Sequence, residues 1–226
     1  MYCDDVEIDY KQDDLTFEAI LNLFRGRYPP DFPENKKLKT NSESKLFVFF
    51  NGHGGDNFFK IQDTEVLQSE DLAKVFNEMN LKNRYKEVWM LIDTCQAMTL
   101  FDHVDAPNLI LMGTSIKDKS AYSHQHDDEL GTDLNDKFSY YFNYKFLRDQ
   151  LPRSKYEATT KISDLPKIFS HELVASDVTI KSTLKDRDLN HVLLKEYLPM
   201  PSANIASERT QFFNLEDLEL SEVLIN

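Results

Sequence analysis

The chain has 226 residues, 41% hydrophobic and 12% aromatic, which suits one globular domain with its own core. Lys and Arg number 26 against 39 Asp and Glu, a net charge of -13, and no basic cluster interrupts that excess. Nucleic acid and anionic membrane surfaces are therefore poor partners on electrostatic grounds.

The longest apolar runs are about five residues, far below the ~20 that a membrane helix needs. The acidic start, Met1-Tyr2-Cys3-Asp4-Asp5, has neither the basic flank nor the apolar centre of a signal peptide. Cys3 and Cys95 are the two cysteines, so no disulfide framework is expected. A bridge between them would consume the thiol at Cys95.

Taken in chain order, Asp4 to Tyr10 alternates acidic and apolar side chains and reads as an extended segment with one wet face. Asp14 stands where a helix cap belongs. Leu15, Ala19, Leu23 and Phe24 give a helical stripe to Arg25, and Gly26 ends it. Prolines and lysines between Tyr28 and Ser44 predict a surface loop.

Leu46 to Phe50 is the first strong strand, followed by Asn51-Gly52-His53-Gly54-Gly55. Phe58 to Ile61 reads as a short strand or hairpin arm. Ser69 is a suitable N-cap, with Glu70 and Asp71 in the first turn, and Leu72, Val75, Phe76 and Met79 give a helix to about Asn80. Glu87 to Ile92 is a buried strand that runs into Asp93-Thr94-Cys95. Strand, helix, strand makes a right-handed crossover, so the two strands run parallel and end on one edge of the sheet.

Leu109 to Met112 is a third strand, leading to Gly113-Thr114-Ser115 on the same edge. Ser120 to His126 reads as a further strand. Leu134, Phe138, Tyr141, Phe142 and Phe146 predict a helix from about Thr132 to Leu147. Leu189 to Leu198 is a strand or a helix, and Phe212 to Ile225 an acidic amphipathic tail. Residues 1–150 form the expected catalytic domain. Residues 151–226 form an extension packing on it, with 211–226 as a flexible tail.

Two groups carry the chemistry. His53 alone reads as a loop or core histidine, and Cys95 alone as a packing residue. Placed together at one sheet edge, an imidazole beside a thiol makes a nucleophile with its general base. The glycines around His53 leave room for a substrate backbone and expose an amide beside the ring. Asp93 precedes Cys95 by two, so it either lines the pocket for the cleaved residue or accepts loop amides. Ser123 to Glu129 has a metal-like composition but lacks partners at zinc spacing, which makes it a solvated loop. Glu7 and Asp9 alternate on one face, where an exposed acidic strand or part of a calcium site is expected.

Asn-Gly-His-Gly-Gly-Asp at one strand end and Ile-Asp-Thr-Cys-Gln-Ala at the next resemble the caspase-like, legumain-related clan of cysteine peptidases. Within that clan, Asp4 to Tyr10, Arg25-Gly26-Arg27, Phe59-Lys60-Ile61-Gln62-Asp63, Arg84-Tyr85, Ala106-Pro107-Asn108 and Tyr122-Ser123-His124 resemble the branch of glycosylphosphatidylinositol (GPI) transamidase catalytic subunits. The resemblance runs from about Cys3 to Leu147 and more loosely to Leu198.

It implies an α/β, caspase-like three-layer fold with a mostly parallel sheet and helices on both faces. The family's first strand, a signal peptide, a third catalytic asparagine and further calcium ligands would precede Met1. It implies His53 as general base, Cys95 as nucleophile, and the amides of Gly54 and Cys95 as the oxyanion hole. Asp93, Ser120 and Ser123 would border the substrate pocket. Glu7 and Asp9 would belong to a structural calcium site, and no cofactor would enter the chemistry.

The implied reaction cleaves a C-terminal GPI signal through a thioester and passes the acyl group to a GPI lipid. The implied partners are other transamidase subunits, precursor proteins and the lipid, with no nucleic acid. The implied location is the lumen of the endoplasmic reticulum, held to the membrane through those subunits. A legumain-like endopeptidase and an inactive scaffold subunit are the alternative readings.

Overall fold

The computed structural model describes residues 8–62, 64–143 and 159–198. Its main sheet is built from β1 (Lys45–Asn51), β5 (Glu87–Asp93), β6 (Leu109–Gly113) and β9 (Thr179–Ser182), in the order β1-β5-β6-β9. The first three strands are parallel, and β9 closes the β6 side antiparallel. Every residue of β5 is buried. A strand covered on both faces has no wet side to mark with polar residues, which is why Val88 to Ile92 is an unbroken apolar run.

The two faces of β5 feed two cores. Val88, Met90 and Ile92 pack with Leu72, Val75, Phe76 and Met79 of α2 (Ser69–Leu81) and with Leu21 and Phe24 of α1 (Phe17–Arg25). Trp89 and Leu91 pack on the other face with Phe138 and Phe142 of α3 (Lys137–Phe142). That core also holds Leu165 of α4 (Leu165–Ile168), Val174 of α5 (His171–Val174) and Val178, Val192 and Tyr197. Trp89 is its centre, with ring centroids 4.6 Å from Phe47 and 5.9 Å from Tyr197. This is the three-layer α/β arrangement the motifs imply, and residues 159–198 are built into its sheet and core.

Local chemistry sets the element ends. The Thr16 hydroxyl accepts the Ala19 amide at 3.1 Å, so the first helix is capped there and not at Asp14. Gly26 stops it at φ +66°, and a side chain there would strike the Arg84 guanidinium. Arg84 donates from Nε to the Phe24 carbonyl and from Nη2 to the Leu38 carbonyl, each at 3.0 Å. The cap of α2 is Gln68, one residue before Ser69. Its backbone amide donates to the Asp71 carboxylate at 3.1 Å.

A small antiparallel sheet, β2 (Gly54–Gly55), β3 (Phe58–Ile61) and β4 (Glu65–Gln68), joins the His53 loop to α2. The hairpin of β7 (Ser123–Asp127) and β8 (Thr132–Asp136) precedes α3. The helix expected from Thr132 therefore starts only at Lys137. Leu134, counted into the apolar stripe, is 51% exposed on a strand, and Gly131 turns the hairpin at φ +62°. Leu189 to Leu198 holds two 3-10 turns, Leu189–His191 and Leu194–Glu196. Residues 144–147 and the tail beyond Leu198 lie outside the described residues. Among the described residues, no helix is long and apolar enough to cross a membrane.

Candidate active site

The register of β1 on β5 pairs Asn51 with Asp93 at the carboxyl ends of both strands. His53 and Cys95 each follow that pair by two residues, so two loops leave the same sheet edge side by side. The ladder continues one step further, with the Gly52 amide donating to the Asp93 carbonyl at 3.2 Å. Gly52 itself is at φ +155° with the Phe59 ring close beneath.

His53 is exposed, and its ring makes no hydrogen bond among the described residues; its carbonyl accepts the Lys60 amide at 2.8 Å. Hydrogen bonds alternate in an antiparallel ladder, so this bond turns the next amide, that of Gly54, away from β3. A Cβ on Gly54 would sit 2.7 Å from Thr94 Oγ1 and 2.8 Å from the Phe58 carbonyl oxygen. The His53 and Cys95 loops are therefore in contact, and only glycine fits at that contact.

Cys95 is a free, half-buried thiol, with Sγ 3.8 Å from the Ala121 carbonyl. Its loop is braced by Ser115 on β6's exit. The Ser115 hydroxyl donates to the Thr94 carbonyl at 2.6 Å and accepts the Ala97 amide at 3.1 Å. Gln96, at φ +53°, donates its amide to the Lys119 carbonyl at 2.9 Å, and Met98 donates to the Ser115 carbonyl at 3.0 Å. The Cys95 amide makes no hydrogen bond among the described residues. Thr99 ties the two loops: its hydroxyl accepts the Asn57 amide at 2.7 Å and lies 3.3 Å from the Gly55 carbonyl.

Asp93 is fully buried. Thr114 donates to one carboxylate oxygen at 2.7 Å, and Ser139 donates its hydroxyl to the other at 2.6 Å. The Ser139 amide, at 3.1 Å, and Asn51 Nδ2, at 3.5 Å, also reach that second oxygen. Burial pushes the Asp93 carboxyl up, against the lowering effect of the Ser139 and Thr114 hydrogen bonds. Of the two roles its position allowed, accepting loop donors is the one its geometry shows. Ser120 and Ser123 are exposed on the segment beside Ala121, and the Ser123 hydroxyl is turned onto Asp133.

The calcium expectation rests on Glu7 and Asp9. Glu7 lies outside the described residues, and Asp9 is exposed on a bend. Among the described residues, no group of three or more His, Cys, Asp or Glu side chains could hold a metal ion. Sequence reasoning missed Thr94, Thr99 and Ser139, while Ser115 was placed at this edge as one of the small polar groups of Gly113-Thr114-Ser115.

Similarity to known proteins fits this geometry. The chain is 38% identical over 197 residues to "GPI-anchor transamidase" of Saccharomyces cerevisiae, covering 87% of this chain and 47% of that one. Against the Homo sapiens protein of the same name the identity is 33%, covering 87% and 49%, and against that of Schizosaccharomyces pombe it is 32%, covering 100% and 55%. The chain thus spans about half the length of the curated relatives it matches. Among solved structures, caspase-1 from Spodoptera frugiperda superposes with a TM-score of 0.46 at 12% identity, covering 76% of this chain and 69% of that one. The family profile described as "Peptidase C13 family" matches residues 2–162, the stretch that holds both loops and the strands that aim them. The chain belongs to the Peptidase C13 family of cysteine peptidases.

Proposed function

We propose that this chain carries the acyl-transfer centre of a GPI-anchor transamidase. The observation that supports it most directly is the shared strand-end register of Asn51 and Asp93. It delivers an imidazole and a free thiol to one edge of the sheet. The names of the relatives point to the same reaction.

In the first half-reaction, His53 takes the thiol proton as Cys95 Sγ attacks the carbonyl carbon of a small residue. The amides of Gly54 and Cys95 hold the oxyanion, where one donor is typically worth ~3 kcal/mol. As the C–N bond breaks, His53 gives its proton to the leaving amine, and the C-terminal signal departs. In the second half, the ethanolamine amine of a GPI lipid attacks the thioester. The C–N bond forms, the C–S bond breaks, and the thiol is restored through His53.

Ser120 and Ser123 border the entry to Cys95, while Asp93 supports the floor from below. Other transamidase subunits bring the lipid and hold the chain at the membrane of the endoplasmic reticulum, on its lumenal side. Precursor proteins with a C-terminal GPI signal are the acyl donors.

Complementation tests this reading in cells that lack their own catalytic subunit. The wild-type gene is expected to restore surface GPI-anchored proteins, and Cys95→Ala is not. Restoration by both would exclude catalysis by Cys95. A product released as the free acid, with no lipid attached, would identify a hydrolytic endopeptidase instead.

A further inference from the structure

Thr94 lies between Asp93 and Cys95, is 2% exposed, and its hydroxyl oxygen has no hydrogen-bond partner among the described residues. A buried hydroxyl left unpaired is costly, and valine would fill the same space without that cost. The neighbouring Ser115 and Thr99 hydroxyls, by contrast, are both engaged.

The position of the unpaired group is specific. A Cβ on Gly54 would meet Thr94 Oγ1 at 2.7 Å and Cγ2 at 3.0 Å, so the Thr94 side chain ends against the residue whose amide faces the oxyanion. The His53–Gly54 peptide offers one acceptor on its far side, the His53 carbonyl. That oxygen already takes the Lys60 amide at 2.8 Å and keeps a second lone pair.

We propose that Thr94 is a positioning residue for acyl transfer at Cys95, a role that rests on the function proposed above. Its hydroxyl donates to the His53 carbonyl as the tetrahedral intermediate forms. That bond fixes the His53–Gly54 peptide and polarises it, so that the Gly54 N–H becomes a stronger donor to the oxyanion. A hydrogen bond made only at that stage favours the transition state over the resting enzyme. Thr94 does not touch the substrate; it acts through Gly54.

Two thiol-directed probes on the purified chain separate this role from a structural one. N-acetylglycine p-nitrophenyl ester acylates Cys95 through an oxyanion: the C–S bond forms, the aryl C–O bond breaks, and nitrophenolate is released in a burst. Iodoacetamide alkylates the same sulfur by displacing iodide, with no oxyanion. Thr94→Val is expected to slow the burst roughly tenfold, below the 10²–10³ typical of deleting a donor outright. It should leave the iodoacetamide rate within about twofold and the melting temperature no lower than wild type. Thr94→Ser should restore the burst.

A Thr94→Val burst equal to wild type, equal slowing of both probes, or failure of Thr94→Ser to rescue would each overturn the proposal. So would a wild type without a burst that still alkylates faster than His53→Ala, and in that case the His53–Cys95 pair survives. Equal alkylation of wild type and His53→Ala would instead sink the proposed function itself.

Discussion

Ser139 donates both its hydroxyl and its backbone amide to one oxygen of the Asp93 carboxylate, at 2.6 and 3.1 Å. The first turn of α3 is thereby fastened beneath the strand that presents Cys95. Thr114 fastens the exit of β6 to the other oxygen at 2.7 Å. The strand end before Cys95 is thus held to α3 and to the exit of β6 through one buried acid.

Burial pushes the Asp93 carboxyl above the ordinary carboxylate value despite those donors, and this fixes a sign. A carboxyl raised in the folded state contributes stability that is fully present below its unfolded pKa, near ~4, and is lost as pH rises through the folded value. Asp93→Asn cannot ionise, so its stability relative to wild type should improve steadily as pH is raised from about 4. Urea melts of both proteins across that range provide the check. A constant difference would show that Asp93 keeps its ordinary pKa.

The proposed pairing of His53 with Cys95 predicts thiol reactivity. Wild type should be alkylated by iodoacetamide near neutral pH, and His53→Ala should slow that reaction by about tenfold by removing the general base for the thiol proton. Cys95→Ala should lose the label at this site, as read by peptide mass mapping.

Gly54→Ala brings a methyl group to 2.7 Å from Thr94 Oγ1 and 2.8 Å from the Phe58 carbonyl, and neither neighbour is a flexible side-chain tip. The loop must move, at a cost of about 1–3 kcal/mol. The displaced amide should reduce ester acylation of Cys95 by 10²-fold or more, as for loss of an oxyanion donor. Iodoacetamide labelling should change little.

At the opposite end of the sheet, Arg187 bridges Glu87 and Glu196, and Tyr197 donates to Glu87 at 2.9 Å. Burial alone would raise the Glu196 carboxyl. Hydrogen bonds from Lys45, the Leu193 amide and Arg187 outweigh it and hold the group at about 2. A depressed carboxyl contributes stability present above its unfolded pKa and lost as pH falls, so wild type should lose stability at this site between about pH 5 and pH 2. Glu196→Gln should flatten that part of the acid titration. Arg187→Ala, which leaves Glu87 nearly buried with its main partner gone, should cost about 3 kcal/mol at pH 7 in a denaturant melt.

How far the sequence could be read depended on where each residue's partner lies. β5 and β6 were legible because strands buried on both faces are apolar throughout. His53 and Cys95 were legible because each ends such a strand. β9 was not: Lys181 interrupts it, and its ammonium group binds the Phe101 and Val104 carbonyls across the sheet edge. β8 read as helix because Leu134 fell in step with Phe138 and Tyr141, and only pairing with β7 turns it into a strand. The buried braces Thr99 and Ser139 were invisible for a related reason. A serine or threonine hydroxyl takes its meaning from a partner distant in sequence, and its own neighbours carry no periodic signal of it.

The strand order has a mechanical consequence. Cys95 hangs from β5, which is hydrogen bonded on both sides, whereas His53 hangs from β1, whose paired neighbour among the described residues is β5 alone. Every residue of β5 is buried, while β1 keeps half-buried and exposed positions. Amide hydrogen exchange should therefore protect Val88 to Ile92 more than Leu46 to Phe50. The thiol is thus carried by the more firmly held of the two strands.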